Sequence, residues 1–94
     1  MSLAIEISDL LDEAAGLFAG ANMERWAAAM KRAQGEVHQD LSRGAGLLRG
    51  MFGGMGSLSD VVLHRDGIPL AEENDRLDAI RARLYDLTGE VNRT

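Results

Sequence analysis

Ninety-four residues with 15 acidic and 10 basic side chains, a net charge of −5 and an apolar content of 46% make one small acidic domain, residues 1–94. This balance speaks against a nucleic-acid binder, which needs a basic face to neutralise phosphates. The absence of cysteine excludes disulfide and thiolate chemistry. No apolar run approaches the ~18 residues of a membrane span, and Glu6 and Asp9 stand where a signal peptide would be apolar, so a cytoplasmic protein without membrane contact is expected.

The first segment reads as a helix. Leu3, Ile7, Leu10, Leu11, Ala14 and Phe18 recur at three- and four-residue steps, and the acids fall mostly on the other side. Ser2 suits the N-cap, and Gly20 supplies a stop. Asn22 is expected to cap a second helix, with Trp26, Met30 and Ala33 on its apolar face and Gly35 at its end. Val37, Leu41, Leu48 and Phe52 then predict a third helix of about four turns, weakened by Gly44 and Gly46 at roughly 1 kcal/mol each.

Beyond the glycine-rich stretch, "DVVLHRDGIPL" holds Asp66-Gly67 between apolar arms, a hairpin signal, with Pro69 confined to an edge position. A short hairpin or extended turn is predicted there. Leu77, Ile80, Leu84, Leu87 and Val91 then form the clearest helical stripe, with Glu72 and Glu73 at its positive end and a fraying end expected near Gly89. The predicted fold is mainly α: a bundle of about four helices, with the hairpin before the last.

Six of the 11 glycines lie between Gly44 and Gly56. Gly56-Ser57 lacks the lysine of a phosphate-binding P-loop, and an amphipathic helix, not a strand, precedes it. Gly53, Gly54 and Gly56 read more simply as a corner that needs positive φ, with Ser57 as N-cap and Asp60 at N3. The alternative is a backbone nest at Gly53, Gly54, Gly56 and Ser57 that binds an anion or small molecule. Ser57, His64 and Asp66 do not make a nucleophilic triad by spacing alone. His38 and His64, the only histidines, read as surface residues, and no metal-ligand spacing is present.

"FGGMGSLSDVVL" followed by "ENDRLDAIRARLYDL" resembles a family of small uncharacterised bacterial proteins. These carry a Gly-Gly-Met-Gly-Ser corner, an Asp three residues on, and a closing Leu-Asp-x-x-Arg-x-x-Leu-Tyr helix. The resemblance covers about residues 48 to 91. It implies a bacterial origin and a mainly helical fold, and carries over no catalytic residue.

Residues 1–24 hold Glu6, Asp9, Asp12, Glu13 and Glu24 with no basic residue, and Glu72, Glu73 and Asp75 make a second acidic block. Solvated helix faces explain both; as a recognition surface, Glu6, Asp9, Asp12, Glu13, Glu72, Glu73 and Asp75 would meet a basic protein partner. The expected function is a small, acidic, non-enzymatic protein-interaction module without cofactors, for example an inhibitor or immunity protein. A homodimer through the last helix is expected if its leucine stripe is wider than one bundle can cover.

Overall fold

In the computed structural model, which describes residues 2–53 and 56–93, the chain forms α1 (Leu3–Gly20), α2 (Glu24–Gln39), α3 (Leu41–Arg49), a 3₁₀ turn (Leu58–Asp60), β1 (His64–Arg65), β2 (Ile68–Pro69) and α4 (Ala71–Arg93). The mainly α bundle of four helices with a hairpin before the last is what the periodicity predicts. Helices α1 and α3 each pack on both α2 and α4.

Helix ends follow from local chemistry, and not always at the expected residues. The Ser2 hydroxyl accepts from the Ile5 amide, 3.3 Å, and starts α1. At the other end Gly20 is still helical, and Asn22 takes the left-handed conformation, φ 61°. The Asn22 amide donates to the Ala19 carbonyl, 3.0 Å, and the Met23 amide to that of Phe18, 2.8 Å. This is a Schellman closure, in which asparagine can replace glycine. Asn22 therefore ends α1 and does not cap α2, whose N-cap Met23 has no side-chain cap bond.

Helix α2 runs through Gly35, which is exposed in open space, so the expected stop there is not used. The break falls at Asp40, where the backbone is extended, φ −155° and ψ 106°. Its amide closes α2 on the Glu36 carbonyl, 2.8 Å, and its carboxylate accepts from the Arg43 amide, 3.1 Å. One residue thus ends one helix and starts the next, leaving α3 nine residues long instead of about four turns. Gly44 lies at the crossing with α2. A methyl group there would sit 2.6 Å from the Val37 nitrogen and 2.7 Å from its Cα, so only glycine allows this approach.

From Ser57 to Leu70 the chain crosses the bundle and is pinned by α4. Arg81 donates to the Leu58 and Val61 carbonyls, 2.9 and 2.8 Å, and Asn74 holds both the amide and the carbonyl of Leu63, 2.7 and 3.0 Å. Leu58 and Leu63 are thereby buried in the core. The hairpin pairs His64 with Pro69 and Arg65 with Ile68. Asp66 and Gly67 both have positive φ, 54° and 78°, as a type I′ turn requires.

The core is built on the predicted stripes. Leu77, Ile80, Leu84 and Leu87 are buried against Phe18, Met30 and Leu48. Each such side chain contributes about 1.5–3 kcal/mol through burial. Trp26 and Leu41, expected in the core, are only partly buried. Helix α4 continues through Gly89 to Arg93, so the expected fraying near Gly89 does not occur. Its whole leucine stripe, including Val91, is covered within the chain.

Candidate functional site

Three of the four acids of α1 are tied to other helices. The Glu6 carboxylate pairs with Arg83, 2.8 Å, Glu13 with Arg76, 2.6 Å, and Asp12 with Lys31. The hydrogen bond from Lys31 holds Asp12 below its ordinary carboxylate pKa, and the bond from Arg76 does the same for Glu13. Asp9 is exposed and makes no ion pair among the described residues, and neither do Glu72, Glu73 and Asp75 at the start of α4. Three of the seven acids expected to meet a basic partner also brace one helix against another.

The glycine turn uses its own donors. Gly53 and Gly56 have φ of 90° and 76°, as a corner demands; Gly54 lies outside the described residues. The Gly53 amide donates to the Ser59 hydroxyl, 3.1 Å, and the Gly56 amide to the Asp60 carboxylate, 3.2 Å. An anion at either amide would have to displace one of these side chains, and the Asp60 carboxylate would repel it. Ser57 precedes the 3₁₀ turn but makes no side-chain cap bond, contrary to expectation; its hydroxyl is buried without a hydrogen-bond partner among the described residues. Ser59 and Asp60 bind the turn in its place. The His64 ring bonds the Val62 carbonyl, 3.0 Å, and not Ser57.

His38 is not a bystander. Its Nε2 lies 3.1 Å from the hydroxyl of Ser8, which also accepts from the Gln34 amide, 3.0 Å. Gln34 further donates to the Ser8 carbonyl, 3.1 Å. The arrangement is an α1–α2 clasp that satisfies a buried serine. Among the described residues no group of three or more His, Asp or Glu side chains is placed to hold a metal ion.

A groove of about 900 Å³ lies on the first half of α2, with Gly56 in its lining. Trp26 stacks on buried Phe18 with ring centroids 5.9 Å apart and contributes its remaining surface to the groove. Ala28 and Ala29 bring only methyl groups to the lining, and Arg25 and Arg32, seven residues apart on α2, line it too. Seven of the ten basic side chains are held by a carboxylate or a backbone carbonyl: Lys31, Arg43, Arg76, Arg81 and Arg83 by carboxylates, Arg49 and Arg65 by the carbonyls of Tyr85 and Gly20. Arg25 and Arg32 are held by neither among the described residues, a state they share with Arg93. The sequence carried this signal as arginines at i and i+7 around Trp26 and Ala29, but periodicity assigned Trp26 to the core alone.

Residues 8–71, roughly two thirds of the chain, match the family model described as "Domain of unknown function (DUF6966)". The chain belongs to this family. No curated protein and no solved structure matches it. The DUF6966 segment takes in α2, the glycine turn and the hairpin, and stops at the first residue of α4. Every residue of the groove lies inside it, whereas Glu72, Glu73, Asp75 and the closing Leu-Asp-x-x-Arg-x-x-Leu-Tyr motif lie beyond it.

Proposed function

We propose that this DUF6966 chain is a non-enzymatic protein-binding module whose contact face is the α2 groove. The observation that carries the reading is the pair of guanidiniums, Arg25 and Arg32, left without a carboxylate partner on either side of a half-buried tryptophan. Arginine and tryptophan are the residue types that dominate binding energy at protein interfaces, and desolvation of such groups is best returned by a partner. Engagement of Glu6, Asp12 and Glu13 inside the chain weakens the alternative of an acidic α1 face that blocks a basic enzyme. Gly56 lines the groove, and the occupied amides of Gly53 and Gly56 weaken the alternative of an anion nest.

The test is recovery of a stoichiometric protein partner by the native chain and by the double variant Arg25→Glu/Arg32→Glu. Both side chains are in contact with solvent, so the variant should fold like the parent. The reading expects the partner to be lost from the variant and kept by Asp9→Asn/Glu72→Gln. Equal recovery by the groove variant and the parent would refute it.

A further inference from the structure

We infer that the occupant of the α2 groove is an acidic amphipathic helix of another protein, with two carboxylates about two turns apart and apolar side chains between them. This deepens the reading of the groove as the contact face and rests on it.

Charge and spacing select this partner. Residues seven apart on a helix are separated by about 10.5 Å along the axis and return to nearly the same face. Arg25 and Arg32 therefore present two positive charges at one spacing, which a second helix laid alongside matches with carboxylates at its own i and i+7. Between the arginines, Ala28 and Ala29 carry only methyl groups and allow close approach of a second backbone, and Trp26 offers apolar surface for a leucine or similar side chain. This is the helix-in-groove mode of recognition. A guanidinium also binds a carboxylate through two parallel N–H donors, which fixes geometry as well as charge.

The opposing charges are local and global. Glu24 lines the same groove beside Arg25, and the chain as a whole carries −5. The Debye length at physiological ionic strength is about 8 Å, so acids on the far faces of the bundle are largely screened from a ligand in the groove. Contacts within about 4 Å are not, and there two arginines face one glutamate. A basic helix would meet the reverse balance.

Trp26 is the single tryptophan of the chain, so its fluorescence reports groove occupancy directly. The experiment titrates the full chain with three helical peptides that share leucines at i+3 and i+4 and differ at i and i+7: glutamate, glutamine or lysine. Inorganic phosphate is titrated in parallel. The expected result is a saturable Trp26 shift with the glutamate peptide, at least tenfold weaker affinity for the glutamine peptide, and weaker affinity as salt is raised. Arg25→Glu/Arg32→Glu should lose the glutamate peptide while keeping its helical circular dichroism. Glutamine and glutamate peptides of equal affinity would overturn the acidic partner and leave the groove reading in place. A phosphate response equal to that of the glutamate peptide would also overturn it, since the groove would then read an anion and not a helix. Binding that leaves Trp26 unmoved and survives the double variant would overturn the groove itself. Failure of all three peptides to bind overturns the inference alone, because partner recovery decides the groove independently.

Discussion

At the scale of single residues, the glycines separate into those that pack and those that do not. Gly44 and Gly46 both lie in α3 and look alike in the sequence, where each reads only as a weak point in a helix. A side chain at Gly44 would strike the backbone of Val37 within 3 Å, whereas nothing lies within 4 Å of Gly46. Gly44→Ala is expected to lower stability by about 1–3 kcal/mol despite alanine's higher helix propensity, as overpacking does. Gly46→Ala should raise stability by roughly 0.5–1 kcal/mol. Urea denaturation of the two variants checks the pair, and equal effects would show that α3 does not cross α2 at Gly44. Asn22 and Asp40 teach a similar lesson. Both residue types favour N-caps, but Asn22 adopts the left-handed conformation and closes a helix, while Asp40 closes one and opens another. Residue type gave the probability of a helix end; the direction of that end depended on tertiary placement.

At the scale of elements, helix existence, the α4 stripe and the type I′ hairpin were legible because each follows from local pattern or turn chemistry. The crossing segment from Ser57 to Leu63 was not. Its position depends on Arg81 and Asn74, whose partners lie 11 to 23 residues away and show no periodic signal. Asn74→Ala should cost about 1–3 kcal/mol, since it strands the buried-side amide of Leu63. Amide exchange should accelerate at Leu63 more than in α1; uniform protection would mean that Asn74 is not the clamp. Leu84→Ala, in the middle of the buried stripe, should cost about 2–5 kcal/mol by denaturant titration.

The interhelix struts also set an acid limb. Asp12 and Glu13 titrate below their ordinary values in the folded chain, so their contribution is present above the unfolded carboxylate range and is lost as pH falls through the lowered values. Thermal unfolding followed downward from about pH 5 should show this loss, within the usual carboxylate range. Glu13→Gln should flatten it by bringing the neutral-pH melting point slightly down toward the acid value, a small change because the pair with Arg76 is exposed. An unaltered acid limb in that variant would show that Glu13 is not linked to folding.

At the scale of the whole molecule, charge and apolar surface were legible in amount but not in allocation. The count of −5 does not say that three α1 acids bind α4 and α2, or that two arginines stay without carboxylate partners in a groove. Likewise the leucine stripe of α4 does not reveal that one chain covers all of it. With that stripe internal, the account expects a monomer in sedimentation across a wide concentration range, and a dimer abolished by an α4 surface substitution would contradict it. The central claim is that the α2 groove, and not the acidic helix surfaces, meets the partner. Backbone amide chemical-shift mapping with the glutamate peptide is the decisive measurement: the largest changes are expected at residues 22–32 and at Gly56. Changes centred on α1 around Asp9, or on the first turn of α4 at Glu72 and Glu73, with the groove silent, would contradict it.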